Sequence, residues 1–143
     1  MINNRVNISQ YQGKLPTDEE LNANRNISDS PIYSASDVLR LAQGTNLHFW
    51  SKGAISDSLK WKLDAEDTAS LVQLAATSGS FKCAEWCQQQ PNGPWAACDA
   101  YTVTRLEWND AAHKTYSTTY YLKLAISKTG TVLLMASNHP EGT

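Results

Sequence analysis

From Tyr101 onward the apolar period of this chain drops from near four residues to two. Three runs carry the change: YTVTRLEW (101–108), TYSTTYYLKLAIS (115–127) and TVLLMAS (131–137). A period of two is the signature of strands, because successive side chains leave opposite faces of a sheet. The runs are joined by Asn109-Asp110-Ala111-Ala112 and by Lys128-Thr129-Gly130. Connections this short permit only antiparallel pairing. In the middle run Tyr120, Leu122, Leu124 and Ile126 share one face, expected towards the core, while Tyr121, Lys123, Ala125 and Ser127 share the other. Parity puts Thr131, Leu133, Met135, Ser137 and His139 on one side of the last run. If register allows, the C-terminal hairpin can therefore present Tyr121, Lys123 and His139 close together beside a small, polar, partly basic face.

Upstream of Tyr101 the pattern is helical. In SASDVLRLAQG (34–44) a serine can cap the start, Val38, Leu41 and Ala42 share a face, and Gly44 suits the stop. NLHFW (46–50) is a short β-prone stretch, and GAISDSLKWKL (53–63) reads as a short helix. LDAEDTASLVQLAAT (63–77) is the clearest helix, with Asp64 as its cap. SFKCAEWCQQQ (80–90) reads as one more, with Cys83 and Cys87 on one side, ended by Pro91-Asn92-Gly93-Pro94. Helices followed by a meander predict an α+β fold, with the N-terminal helices packed on one face of a three- or four-stranded antiparallel sheet. Residues 34–143 form that single domain. Residues 1–33 are polar and Asn-rich and read as a partly disordered arm, with a turn of helix at TDEELNA.

The chain's 143 residues suit one domain with its own core. A net charge of −2 argues against sequence-independent binding of nucleic acid through a broad basic surface, though not against a small local basic site. There is no apolar run long enough to span a membrane and no secretory leader, so a cytoplasmic protein is expected. The three cysteines then read as reduced, inert thiols; their spacing is not that of a zinc site. The residues call for no metal and no organic cofactor.

Cleaving RNA without a metal needs few parts. A base takes the 2′-OH proton, an acid protonates the 5′ leaving oxygen, and a cation stabilises the phosphorane. His139, Tyr121, Lys123, Lys82 and Arg105 fit these roles by type. Trp95 and Tyr101 are further candidates for contact with substrate, although Trp95 beside its turn can equally anchor the loop to the core. The same lysines and histidine read equally well as ordinary solvated side chains.

The order of these segments resembles the MqsR-type mRNA-interferase toxins, relatives of the RelE-like ribonucleases. SDVLRLAQG is similar to that family's opening helix. KWKLDAEDTASLVQLAATSGSFK is similar to its Leu-Gly-Leu-Asp segment, following helix and Phe-Tyr-Lys motif. WAACDAY is similar to its Trp-Gln-Asp-Val-Tyr, and YYLKLAISKTGTVLLMAS to its Tyr-Leu-Lys-Ile-Thr strand and final strand. The resemblance implies a RelE-like fold and a metal-independent endoribonuclease toxin cutting single-stranded mRNA. It assigns catalysis to Lys82, Tyr121 and Lys123, with His139 or Asn138 where the family carries a terminal lysine. It also implies a small antitoxin partner and a cytoplasmic location. Departures are the missing Tyr between Phe81 and Lys82 and the Ala96 that follows Trp95 in place of Gln. The acidic balance and polar N-terminal segment support a competing expectation: a small non-enzymatic binding protein of immunity, antitoxin-like or phage-inhibitor type.

Overall fold

The computed structural model describes residues 5–143. Among them four helices and six strands follow in the order α1 (Asp18–Ala23), β1 (Asn26–Ser28), α2 (Ala35–Gln43), β2 (Leu47–Phe49), α3 (Lys52–Trp61), α4 (Ala65–Ser78), β3 (Ser80–Gln88), β4 (Trp95–Asn109), β5 (Lys114–Ile126) and β6 (Leu133–Pro140). The class is α+β. The strands form one sheet in the order β1-β3-β4-β5-β6-β2, antiparallel throughout except for β2, which runs parallel to β6. The expected sheet of three or four antiparallel strands is thus a six-stranded mixed one. No helix among the described residues is long and apolar enough to cross a membrane.

Each helix starts where a side-chain oxygen can satisfy a free backbone N–H. Thr17 and Glu20 form a reciprocal capping box at α1. Ser34, Ser51 and Asp64 accept from the third residue of α2, α3 and α4 respectively. Beyond α2 the left-handed residue is Thr45, with φ 53°, and not Gly44.

The segment 80–90, expected as a helix, is strand β3 over Ser80–Gln88. Ala84 and Trp86 alternate inward along it, and its residues pair with β4 from Ser80↔Thr102 to Gln88↔Trp95. A strand has to lie here because β4 would otherwise leave a whole row of buried backbone groups unpaired. The polar segment expected as an arm is, over residues 5–33, laid against the sheet. β1 pairs with β3, Asn7 and Ser9 bridge Trp95 and Ser127, and Leu21 is buried beside Trp86 and Trp95.

Leu122, Leu124 and Ile126 of β5 are buried with Val38 and Leu41 of α2 and Leu71 and Val72 of α4, as the alternation implies. Asp99, opposite Leu124 and so on this face, accepts from the backbone N–H groups of Ile32 and Tyr33 leading into α2. The helices are not confined to that face, contrary to expectation. The start of α3 closes part of the other one: Gln89 donates to the Trp50 carbonyl at 2.9 Å and accepts from the Lys52 N–H at 3.0 Å. There Cys98, Ala125 and Leu134 are buried, so this second face is open from Lys123 towards the β4–β5 turn and otherwise along β3 at Glu85 and Cys87.

Candidate functional site

Strand pairing sets which side chains meet on the open face. In β6 the register runs Tyr121↔His139 and Lys123↔Ser137, then jumps to Leu124↔Met135, leaving Ala136 as an extra residue. This bulge corrects the parity expectation. Leu133 and Met135 go to the core, each 0% exposed, whereas Ser137 and His139 join Lys123 and Tyr121 on the open face. Asn138, the alternative to His139, points the other way. It is fully buried opposite Leu122, and neither end of its amide has a partner among the described residues.

Tyr121 and His139 are stacked, with ring centroids 5.5 Å apart and planes at 29°. His139 Nδ1 lies 2.9 Å from the Pro140 carbonyl, and donation there leaves Nε2 with its lone pair. Burial, with the Glu85 carboxylate adding, raises the Tyr121 phenol above its ordinary range, while Lys123 works the other way. The phenol is therefore a neutral hydrogen-bond donor. The Lys123 ammonium lies 5.6 Å from the Tyr121 ring centroid and 2.5 Å from Glu85 Oε1. Burial opposes its charge, but the negative charge Cys87 carries as a thiolate and the hydrogen bond to Glu85 more than compensate and raise it. Lys123, Glu85, Cys87, Arg25, Ser51 and Ser137 line a cleft of about 370 Å³ beside the stacked pair.

Of the residues singled out in the sequence, Tyr121, His139 and Lys123 come together. Lys82 is the extra residue of a second bulge, between Phe81 and Cys83, exposed and two strands from Lys123. That is about 10 Å across the sheet. The other three do not join. Arg105 is on the opposite face by alternation, bound to Glu107 at 2.8 Å, and its guanidinium lies 5.2 Å over the Tyr120 ring. Tyr101 is buried opposite Leu122, and Trp95 is a buried anchor of the satellite core around Leu21. Cys83 and Cys87 lie along a strand, not on a helix face.

Glu85, Cys87 and Arg25 were not marked as site residues by sequence. The available cue was the QQQPNGP turn between two β-prone segments, which reads as a hairpin and would have put Glu85 and Cys87 on one strand face. The same face continues up the long β4–β5 hairpin through Thr102, Thr104, Leu106 and Trp108, the last two 75% and 60% exposed. Comparison of the chain with known families, curated proteins and solved structures returns no match.

Proposed function

We propose that this protein is a metal-independent endoribonuclease acting on single-stranded RNA, the reading its resemblance to mRNA-interferase toxins implies. The observation that carries it is the stacked Tyr121–His139 pair on an open sheet face with an ammonium beside it. His139 Nε2 takes the proton of a ribose 2′-OH, and the 2′-oxygen attacks the adjacent phosphorus. The Tyr121 phenol donates its proton to the departing 5′-oxygen. Lys123, with Lys82 from the neighbouring bulge, offsets the charge gathering on the phosphorane. The products are a 2′,3′-cyclic phosphate and a free 5′-hydroxyl.

Trp108 and Leu106 support a single-stranded substrate. Trp108 stands six positions along the strand from Thr102, the partner of Tyr121. That is about 20 Å, the span of a few unpaired nucleotides whose bases could stack there.

The decisive experiment incubates the full chain with single-stranded RNA in chelator, beside His139→Ala and Tyr121→Phe. The wild type should cut and leave cyclic phosphate ends. Each variant should be slower by about 100-fold or more, the usual share of a general acid or base. Equal cleavage by all three, or none by the wild type, overturns the reading.

A second reading draws on the Lys123–Glu85 ion pair, which occupies the cation that a phosphate would need. On that reading the same face, with Leu106 and Trp108, is a protein-binding surface. Harmless expression, no cleavage, and loss of a co-purifying protein on Trp108→Ala would select it.

A further inference from the structure

We propose that the free edge of β4, residues 104–108, pairs with the same edge of a second copy of this chain, antiparallel about a two-fold axis at Leu106, so that two sheets become one. The inference is independent of RNA cleavage.

The edge is free because the β4–β5 ribbon outruns its neighbours. The last pair between β3 and β4 is Ser80↔Thr102, whereas β4 and β5 stay paired, without a bulge, as far as Asn109↔Lys114. The Thr102 carbonyl faces Gly79, on the β3 side. The Thr119 carbonyl takes the Glu141 N–H at 2.8 Å, on the β6 side. Alternation from these two points turns the N–H and C=O groups of Thr104, Leu106 and Trp108 outward, away from β5. None of them meets a backbone partner among the described residues. Such an edge is a template for another strand unless lysine, proline or a bulge blunts it, and residues 103–108, VTRLEW, hold none of these.

Charge chooses the occupant and the register. Arg105 and Glu107 share one face and are joined at 2.8 Å through Nε and Oε2, with both side chains partly exposed. With the axis at Leu106, Arg105 of each copy stands opposite Glu107 of the other. These are non-hydrogen-bonded pairs, in which side chains approach most closely. The four charges alternate in sign around a square, and the terminal NH2 groups of Arg105 can serve the second carboxylate. Sliding one copy by two residues sets Arg105 against Arg105, or Glu107 against Glu107, and like charges directly opposite are destabilising.

The same register satisfies the backbone. Leu106 exchanges both of its hydrogen bonds with Leu106 of the second copy, and Thr104 does so with Trp108. On the other face Leu106, 75% exposed in the single chain, packs against its own counterpart, and Trp108 lies beside Thr104. The contact area is small, so the dimer is weak and forms with rising concentration.

The test follows sedimentation of the full chain from about 1 μM to about 1 mM, the range of weak association. The wild type should pass from monomer to dimer. Glu107→Arg and Arg105→Glu each place like charges opposite one another at both ends of the contact and should raise the dissociation constant about tenfold or more. Mixed in equal amounts, the two variants oppose unlike charges again and should form a mixed dimer at near wild-type strength. Hydrogen exchange of the wild type at low and high concentration should show added protection at the amides of Thr104, Leu106 and Trp108. A monomer at every concentration, a dimer indifferent to both variants, no recovery on mixing, or protection at Thr115 and Ser117 on the β5 edge instead overturns the proposal. The first and last of these need no variant to fold.

Discussion

Glu85 Oε1 and Lys123 Nζ meet at 2.5 Å across an intervening strand. Glu85 belongs to β3 and Lys123 to β5, and the pair closes over β4 where Ala100 and Cys98 stand. Ala100 is 0% exposed, and its small side chain leaves the room that the two long ones cross. The contact therefore depends on three strands in register.

If this cleft receives a phosphate, Glu85 competes with it for the cation. Glu85→Gln should tighten binding of a short, non-cleavable single-stranded RNA by roughly five-fold, equivalent to about 1 kcal/mol, because the pair is only partly buried and solvent screens it. Fluorescence anisotropy at fixed salt measures this. Weaker binding by the variant would mean that Lys123 is not the phosphate's partner.

Asp99 should make stability fall as pH rises. Burial lifts its carboxyl to about 6, although the Ile32 and Tyr33 N–H groups pull it down. The unfolded carboxyl titrates near 3.9, so between about pH 4 and 6 the folded state holds the extra proton. That stabilisation is present below the unfolded value and lost as pH rises through the folded one, at most on the order of 3 kcal/mol. Asp99→Asn retains an acceptor for the two N–H groups without titrating. Urea unfolding across this window should show a slope in the wild type that the variant lacks; parallel profiles would refute the assignment.

The unpartnered amide of Asn138 costs stability. Asn138→Val puts a β-branched apolar side chain into the same strand position and should stabilise by about 1 kcal/mol. In a thermal melt this is a rise of roughly 3–4 °C. A fall in melting temperature would show that the amide is satisfied in solution.

Gly79 joins α4 to β3 where the backbones nearly touch. A Cβ there would stand 2.7 Å from both Cα and O of Ala75 and 3.0 Å from the Thr102 carbonyl. All three are backbone atoms, so nothing can swing aside. Gly79→Ala should destabilise by about 1–3 kcal/mol, as overpacking does, read as a lower urea midpoint with unchanged slope. An unaffected midpoint would mean the α4–β3 junction is loose.

What neighbouring residues determine by themselves was legible in the sequence. The inward set Leu122, Leu124 and Ile126, the Asp64 cap, a serine cap at Ser34 or Ser36, and the turn at Gly130 all arise from contacts within a few residues. That Tyr121 and His139 belong to one hairpin was legible too, but the face they share was not, because it depends on the extra residue at Ala136. Tertiary structure alone decided the rest. Segment 80–90 became a strand because β4 needed a partner, and β4 itself, buried along Trp95–Val103, offers no alternation from which to read its faces. One added residue at Ala136 inverted the side from which Leu133 and Met135 emerge, and a period count cannot register such an insertion. Glu85 and Cys87 reached the cleft for the same reason: which side chains share a surface is set by the register between strands distant in sequence, and register is decided by the packed core as a whole.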